Sequence, residues 1–264
     1  MQTSAPASGA GRARAALRGA VLSYRALFTW FNPLGYLSSR IVRPIGMAIA
    51  FTSLATHYGA GADRMLVASS LLAGAGAVVY GMALSIGNER SFHTLGTWLA
   101  SPQNKVAAAC QRALPHVVDG FVGGLCTYLV CSLLYATLPI GIPQYTVLLA
   151  VGVLTTAGFG LSLSALALLI EDLFVGPNMA ELVLMVLSGT LVPQNRLPAF
   201  LVPLSEVMPL SHVMRAVDGL LAGRADSAPV IAELAVGSIW ALAGVLFVHL
   251  AARHATARVA LGNA

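Results

Sequence analysis

Long apolar runs are the sequence feature that most constrains how this chain can fold. Runs of about 20 to 26 residues, each with at most one Asp, Glu, Lys or Arg, occupy 65–87, 114–138, 145–170 and 230–250. A helix needs about 20 apolar residues to cross the hydrocarbon core of a bilayer. Only 9% of all residues are charged, whereas about a quarter are charged in soluble domains. The chain is therefore predicted to be an all-α integral membrane protein.

Two shorter apolar runs complete a prediction of six transmembrane helices. The run at 45–56 is too short to cross alone, so this helix must extend back through 34–43. Arg40 and Arg43 would then lie at the cytosolic headgroups, where long side chains snorkel, with a kink at Pro44. The fifth span is again short. Spans one to six are predicted at 34–56, 65–87, 114–138, 145–170, 178–192 and 230–250, in a single membrane domain over 33–264.

Small residues within the second and third spans indicate close helix packing. Gly74, Gly76 and Gly81 lie in span two, and Gly120 and Gly124 are four residues apart in span three. Small side chains let helix backbones approach each other in lipid, which provides no hydrophobic drive between helices. The second pattern is common by chance in a glycine-rich chain, so its weight is low.

The N-terminal region is predicted to lie outside the membrane domain. Residues 1–10 are small and polar and are expected to be disordered. Over 11–32, helical spacing places Arg14, Arg18 and Arg25 in one stripe opposite an apolar arc that includes Ala20 and Tyr24. This pattern predicts an interfacial amphipathic helix that lies along the inner membrane surface. A cytosolic helix docked on protein is the alternative.

The distribution of basic residues predicts the orientation of the spans. Six spans place eleven of the fifteen Lys and Arg residues on the side of the two termini. The other four are Arg64, Arg196, Arg215 and Arg224. Because cytosolic segments are enriched in Lys and Arg, both termini are predicted to be cytosolic. The net charge of +5 is explained by this bias without a nucleic-acid partner.

A charged, turn-bounded segment between spans two and three has the character of a docking site. The segment at 89–102 reads ERSFHTLGTWLASP and combines polar side chains with a bulky Trp98 on the predicted cytosolic side. We predict a short helix at 92–100 that is bound by a cytosolic partner. An ordinary solvated loop is the alternative. Glu171 and Asp172 mark a second cytosolic loop, between spans four and five.

Prolines punctuate the chain after the fifth span. Pro193, Pro198, Pro203 and Pro209 separate apolar pieces that are each too short to cross a membrane. Irregular backbone at membrane depth is tolerated only where protein or water covers it. We therefore predict a re-entrant hairpin of two short helices that dip into the outer leaflet and act as an outer gate.

Four acidic residues lie in or near the predicted spans, and each is a functional candidate because a charge in a membrane is costly. For Asp119 and Glu233, near the predicted membrane edges, we favour solvation at the interface. Glu181, near the cytosolic start of span five, is a candidate for the translocation path or for a helix interface. The sequence indicates no partner for Glu181. Glu206 lies in the proline-rich region.

The sequence contains no recognisable catalytic or metal-binding motif. A phosphate-binding loop needs a lysine after its glycine, whereas the single lysine, Lys105, follows Asn104. The six histidines form no HExxH motif, and the three cysteines have no metal-ligand spacing. The chain is therefore not predicted to be an enzyme, and neither a catalytic residue nor a metal ligand is assigned.

The segment at 89–102 resembles the coupling segment of type-2 ABC exporter permeases, which reads Glu-Arg-Glu, then Gly-Thr-Leu-Glu, then a Leu-rich run to Thr/Ser-Pro. The family usually has acid, glycine and acid where Ser91, His93 and Gly96 stand here. A second likeness runs from 187 through 198 to 223 and is similar to the family's fifth span and outer hairpin. The matching positions of the first segment are Glu89, Arg90, Thr94, Leu95, Leu99, Ser101 and Pro102.

This resemblance implies a permease that lacks its own ATPase and binds a separate ATPase dimer through the coupling segment, with ATP and Mg²⁺ on that partner. Leu95, Trp98 and Leu99 would enter a cleft of the ATPase, and Arg90 and Lys105 would meet its acidic residues. Two permease chains, identical or paralogous, would share a path lined by spans one, two and five. The nearest look-alike is the daunorubicin-resistance type of drug exporter in bacterial cell membranes.

Substrate and transport class stay open at this point. Small and aliphatic span residues suit an amphipathic or hydrophobic molecule, such as a drug, antibiotic, lipid or apolar peptide. A polysaccharide exporter of the same superfamily is the alternative. A secondary transporter that needs no ATP is a further one, although the two halves of the chain show no repeat of the kind such folds contain. A purely structural membrane protein would need no coupling segment.

Overall fold

Every regular element in the computed structural model is a helix, and no β-strand occurs in the residues it describes, which are 17–22, 24–25, 32–169, 172 and 174–260. This confirms the all-α prediction. The helices are α1 (Pro33–Leu37), α2 (Arg43–His57), α3 (Ala62–Ser91), α4 (Leu95–Ala100), α5 (Lys105–Leu134), α6 (Ile142–Ala167), α7 (Val175–Leu187), α8 (Val202–Glu206), α9 (Ser211–Leu221) and α10 (Ala228–Ala260).

Four helices of the described chain are long and apolar enough to cross a membrane. They are α5, α6 and the segments Ala62–Glu89 of α3 and Ala228–Ala257 of α10. The apolar helix α7 is shorter, with 13 residues. The protein is therefore a helical multi-pass membrane protein, whereas the count of six spans stays a prediction.

Helix α2 continues backwards as the sequence predicts, through an irregular turn. A π-helical turn, Ser38–Val42, joins α1 to α2, so the chain is helical from 33 to 57. The N–H of Arg43 donates to the carbonyl of Ser38, five residues earlier. Pro44 follows in the first turn of α2 and has no N–H to donate. A π turn therefore shifts the hydrogen-bond register ahead of the proline ring, whereas the kink predicted at Pro44 stays a prediction.

Helix α3 is the centre of the bundle and packs against α2, α5, α6 and α7. Its approach to α5 depends on two glycines, since a Cβ on Gly120 would lie 2.5 Å from the carbonyl oxygen of Gly74. A similar contact joins α6 to α10, where a Cβ on Gly244 would lie 2.9 Å from the carbonyl oxygen of Gly158. The small residues therefore permit backbone-to-backbone packing, as predicted for α3 and α5.

Connections between helices collect at two ends of the bundle. The first end, called the α4 end, holds the C-terminus of α3, α4 and the N-terminus of α5. Residue 172 and the C-terminal part of α10 belong to the same end, because α4 packs on α10 and buried Ala251 and Ala255 share a cluster with α4. The opposite end holds the connections 58–61 and 135–141 and the long stretch 188–227.

The N-terminal region is described only at 17–22 and 24–25, where it is helical. Ala20 is buried, and the ring of Tyr24 makes an edge-on contact with His116 of α5 at a centroid distance of 5.8 Å. Arg18 and Arg25 are exposed. Ala20 and Tyr24 of the predicted apolar arc therefore pack on protein, whereas Leu17 of the same arc is exposed. Residues 1–10, and the parts of the predicted helix at 11–16 and 26–31 with Arg12 and Arg14, lie outside the described residues.

Candidate functional site

The segment predicted to bind a cytosolic partner forms a sharp helical corner. α3 continues to Ser91, so Glu89 and Arg90 end that helix, and the short helix α4 begins at Leu95 and not at residue 92. His93 lies between them with φ of +55° and turns the chain. The expected position of this helix start is therefore three residues too early. The side chain of Arg90 lies outside the described structure.

Trp98 and Leu99 face the interior of their own chain, so the prediction that they enter a cleft of a partner is wrong. Their exposed fractions are 7% and 5%. They belong to the main core cluster, together with alanines of α10. The Lys105 ammonium lies 5.3 Å from the centroid of the Trp98 ring, and the Arg112 guanidinium lies 5.8 Å from it. A tryptophan in a short amphipathic helix can anchor that helix as readily as it can bind a partner, and here it is an anchor.

Lys105 is also committed within the chain and is not available to a partner as predicted. Its Nζ donates to the carbonyl oxygens of Trp98 and Ser101, each at 2.7 Å, and to Ser101 Oγ at 3.0 Å. The last carbonyls of a helix lack intrahelical donors, and a basic side chain satisfies them here. Lys105 therefore closes the C-terminus of α4 and fixes it to the start of α5.

Glu89 fixes the other side of the corner. Its Oε1 accepts from Arg112 Nη2 at 2.6 Å, while Arg112 Nη1 donates to the carbonyl of Ser85 at 2.9 Å. Its Oε2 accepts from the hydroxyl of Thr94. Glu89 and Thr94, both in the segment at 89–102, thus bond to each other, and Arg112 of α5 bonds to Glu89. These contacts hold the corner to both α3 and α5.

The outward side of this corner is a surface that a partner can reach. It is called the α4 face here. Its described members include no Asp, Glu, Lys or Arg side chain. Its exposed members are Phe92, His93, Thr94, Gly96, Thr97, Ala100 and Pro102, and Leu95 and Ser101 are half-buried at its edge.

Asp172, in the second predicted cytosolic loop, caps the N-terminus of α7. Its Oδ1 accepts from the N–H of Phe174 at 2.8 Å and from the N–H of Val175 at 3.3 Å. A carboxylate at this point satisfies N–H groups that have no intrahelical partner. Glu171, the other acid of this predicted loop, lies outside the described residues.

The proline-rich stretch at the opposite end consists of single turns. Pro193 precedes a 3₁₀ turn, Gln194–Arg196, and Pro203 lies in the first turn of α8. Pro198 is exposed between these pieces, and Pro209 is buried just before Leu210, which has φ of +70°. The predicted pair of short helices is therefore one 3₁₀ turn and one short α-helix. Its depth in the membrane and its role as an outer gate stay predictions.

Glu233 is wholly buried, so the prediction that it is solvated at a membrane edge is wrong. Its exposed fraction is 0%. The carboxylate accepts from the N–H groups of Leu210, His212 and Val213 at 2.8, 3.1 and 3.3 Å. It also accepts from the Thr155 hydroxyl at 2.8 Å. An acid from α10 thus caps the N-terminus of α9, where the helix dipole favours negative charge.

Two further ion pairs tie the opposite end together. Arg64 at the start of α3 donates to Asp218 at 2.7 Å and to the carbonyls of Gly189 and Thr190 at 2.7 and 3.1 Å. Glu206 pairs with Arg215 across the turn between α8 and α9. The hydrogen bond from this guanidinium holds the pKa of the Glu206 carboxyl below its usual range, against the opposing effect of partial burial.

A cavity of about 360 Å³ opens among α2, α3, α5 and α7. Most of its wall is apolar, as at Met47, Leu72 and Leu84. Four charged side chains also line it, namely Arg40, Arg43, Asp119 and Glu181. The helices predicted as spans one, two and five meet here, with α5 as a fourth.

The charged side chains of the cavity form two pairs across helices. Arg40 Nε lies 3.5 Å from Asp119 Oδ2, and Arg40 Nη1 donates to the carbonyl of Ala77 at 3.1 Å. Arg43 lies 4.0 Å from Glu181. Arg40 therefore points inward and does not snorkel to headgroups, and Asp119 is a paired acid within the bundle, contrary to prediction. Glu181 gains the partner that the sequence left unnamed.

The contacts of Arg112 and Arg64 and the capping role of Glu233 were not predicted from the sequence. Their partners lie 23, 154 and about 20 residues away in the chain. Helical periodicity pairs only residues that are close in sequence, so it does not reveal these contacts. The only signal in the sequence is that each of these charged residues occurs in an otherwise apolar helix. In the described part of the chain, no group of three or more His, Cys, Asp and Glu side chains is arranged to hold a metal ion.

The long apolar helices define a multi-pass membrane protein, and charged side chains line a cavity between them. A sequence model of the family described as ABC-2 type transporter matches residues 19–221. The chain belongs to this family. It is thus the membrane permease of an ABC-2 type transporter, and permeases of this family work with ABC ATPase subunits. A search of curated proteins found no match.

Proposed function

We propose that this chain is the permease of an ABC exporter that moves an amphipathic or hydrophobic substrate out of the cell, driven by an ATPase dimer that docks on the α4 face. The observation that carries the proposal is the rigid corner at α4. Glu89, Arg112, Lys105 and Trp98 fix this corner to α3 and α5, while its outer side stays exposed. A lever that must transmit force needs a fixed inner side and an accessible outer side.

The docking mode follows from which side chains are exposed. The motif residues Glu89, Thr94 and Lys105 make contacts within the chain, so they shape the corner, and Gly96, Thr97 and Pro102 touch the ATPase. Closure of the two ATPase subunits on ATP then pushes α4 and moves α3 and α5 as one body. ATP and Mg²⁺ act on the partner, and this chain contributes no group to hydrolysis.

Orientation and assembly complete the proposal. The α4 end faces the cytosol of a bacterial cell, with both termini on that side and six spans, as the excess of Lys and Arg favours. Two permease chains, identical or paralogous, form the transporter. The largely apolar cavity between α2, α3 and α7 suits a drug-like or lipid-like molecule better than a polysaccharide, which needs many hydrogen-bonding groups. Drug resistance of the daunorubicin type is the branch that these features favour.

A matched pair of substitutions tests the docking surface. A side chain at Gly96 meets open space, so Gly96→Arg adds a large group to the α4 face without a clash inside the chain. Ala199→Arg adds the same group at an exposed position of the opposite end. The tagged chain is co-expressed with the ATPase encoded beside it, purified in mild detergent and assayed for retained ATPase.

We expect the unchanged chain and Ala199→Arg to retain the ATPase subunit and Gly96→Arg to lose most of it. Equal retention by both variants would remove the α4 face from the contact. If the unchanged chain retains no ATP-binding subunit under any condition, the exporter proposal itself fails.

A further inference from the structure

The two ion pairs of the cavity differ in how firmly they are held. Arg40 and Asp119 have side-chain exposed fractions of 21% and 8%, and Arg40 has a second partner in the carbonyl of Ala77. Separation of this pair would leave two charges in an apolar surrounding, which is strongly unfavourable. The Arg40–Asp119 pair is therefore a permanent part of the wall.

The Arg43–Glu181 pair is loose and unequal. Its closest approach of 4.0 Å is too long for a hydrogen bond. The Arg43 side chain is 60% exposed, whereas that of Glu181 is 22% exposed and faces the cavity. The Glu181 carboxylate packs closely on the backbone of α3, because a Cβ on Gly76 would lie only 3.3 Å from Glu181 Oε1.

This inequality determines which ligand charge the cavity accepts. Arg43 is already largely solvated, so it can leave Glu181 at small cost. The charges that stay are then Arg40, Asp119 and Glu181, with a net charge of −1, and a monovalent cation restores neutrality. An anion that captured Arg43 would instead leave the carboxylate of Glu181 unpaired in an apolar cavity, which is unfavourable.

The apolar wall defines the rest of the ligand. Phe51, Tyr80 and Phe174 line the cavity with Glu181, and aromatic faces attract organic cations. The volume of about 360 Å³ lies in the usual range of small-molecule sites, roughly 300–1,000 Å³. A small inorganic cation would leave most of this apolar surface unfilled. A lipophilic organic cation uses both the carboxylate and the wall.

We propose that this cavity is a binding site for a monovalent lipophilic organic cation and that Glu181 is its charge-recognition residue, with Arg43 as the side chain that the ligand displaces. The proposal deepens the exporter function and rests on it for its biological meaning. The binding step itself needs no ATPase, so the two can fail separately.

Tetraphenylphosphonium and tetraphenylborate are suitable probes because they have nearly the same shape and opposite charge. Each is measured separately by equilibrium dialysis against the full-length chain in lipid nanodiscs, with empty nanodiscs subtracted. The variants are Glu181→Gln, Glu181→Asp, Arg43→Gln and Asp226→Asn. Asp226 is an exposed carboxylate in a connection of the opposite end and serves as the charge-matched control.

Wild type and Asp226→Asn are expected to bind tetraphenylphosphonium with equal affinity and tetraphenylborate much more weakly. Glu181→Gln should raise the Kd for the cation at least tenfold, and Glu181→Asp should restore most of the affinity. Arg43→Gln should bind the cation as tightly as wild type or more tightly, because the displaced competitor is gone. Since Arg43 is largely exposed, this variant tests the proposal even if Glu181→Gln does not fold.

Four results would overturn the proposal. They are an absence of cation binding by wild type, unchanged cation binding by Glu181→Gln, weaker cation binding by Arg43→Gln, and tighter binding of the borate than of the phosphonium. Retention of the ATPase subunit is measured on the same variants and should be unchanged in all of them. If wild type does not bind the cation but retains the ATPase, the cation site is refuted and the exporter function is unaffected.

Discussion

The buried carboxylate of Glu233 permits a prediction whose size can be worked out from its contacts. It accepts four hydrogen bonds, three from N–H groups at the start of α9 and one from Thr155. Glu233→Ala removes the acceptor and leaves all four donors buried. At about 0.6 to 1.5 kcal/mol for each hydrogen bond, the expected loss is about 2 to 6 kcal/mol.

Two milder variants give an ordering that a non-specific loss of stability would not produce. Each carboxylate oxygen of Glu233 accepts two of the four bonds. Glu233→Gln keeps one acceptor oxygen and turns an amino group toward two donors, so it should cost about half as much, or about 1 to 3 kcal/mol. Thr155→Val removes a single bond and should cost about 1 kcal/mol or less.

Reversible unfolding in mixed micelles, followed by tryptophan fluorescence, measures these differences. Trp240 on α10 donates to the carbonyl of Val207 at 2.7 Å, so its emission should respond when the segment before α9 detaches. Asp226→Asn is the control, with an expected change below about 0.5 kcal/mol. A free energy of unfolding for Glu233→Ala within 0.5 kcal/mol of wild type, or a larger loss for Thr155→Val than for Glu233→Ala, would refute this account of the cap.

Three further predictions concern other contacts. Gly74→Leu should prevent the α3–α5 crossing, because even a Cβ there would lie 2.9 Å from the Gly120 carbonyl, and size-exclusion chromatography should show aggregation. Trp98→Phe should lower stability less than Trp98→Ala, because among the described residues Trp98 Nε1 has no hydrogen-bond acceptor and only the ring packs; equal melting temperatures for the two would contradict this. The Glu206–Arg215 pair should stabilise the protein by at most about 1 kcal/mol above the ordinary carboxyl pKa and lose this as pH falls through the lowered pKa of Glu206. Arg215→Gln should flatten that part of the pH–stability profile, and an unaltered profile would count against the pair.

Much of the helical framework could be predicted from the sequence, because it depends on local properties. Apolar length marks α3, α5, α6 and α10, and the need to cross a bilayer extends the first helix back to residue 34, close to its observed start at residue 33. Glycine spacing indicated the contact between α3 and α5. These signals lie within one helix or between close positions, so they survive without knowledge of the fold.

The environment of individual polar side chains could not be predicted in the same way. Trp98 in a short helix has the same sequence signature whether it faces a partner or its own core, and the fold decided for the core. Asp119 and Glu233 lie near the ends of apolar runs, a position that indicates solvation at an interface. The partners that bury them, Arg40 and the start of α9, come from distant parts of the chain.

Site-specific photocrosslinking tests directly whether the ATPase docks on the α4 face. A photoreactive amino acid is placed at Thr97, which is exposed on the α4 face, or at Phe200, which is exposed at the opposite end. With the ATPase co-expressed, a covalent adduct of permease and ATPase should form from position 97 and not from position 200. An adduct from position 200 alone, or none from position 97 while the complex stays intact, would contradict the account.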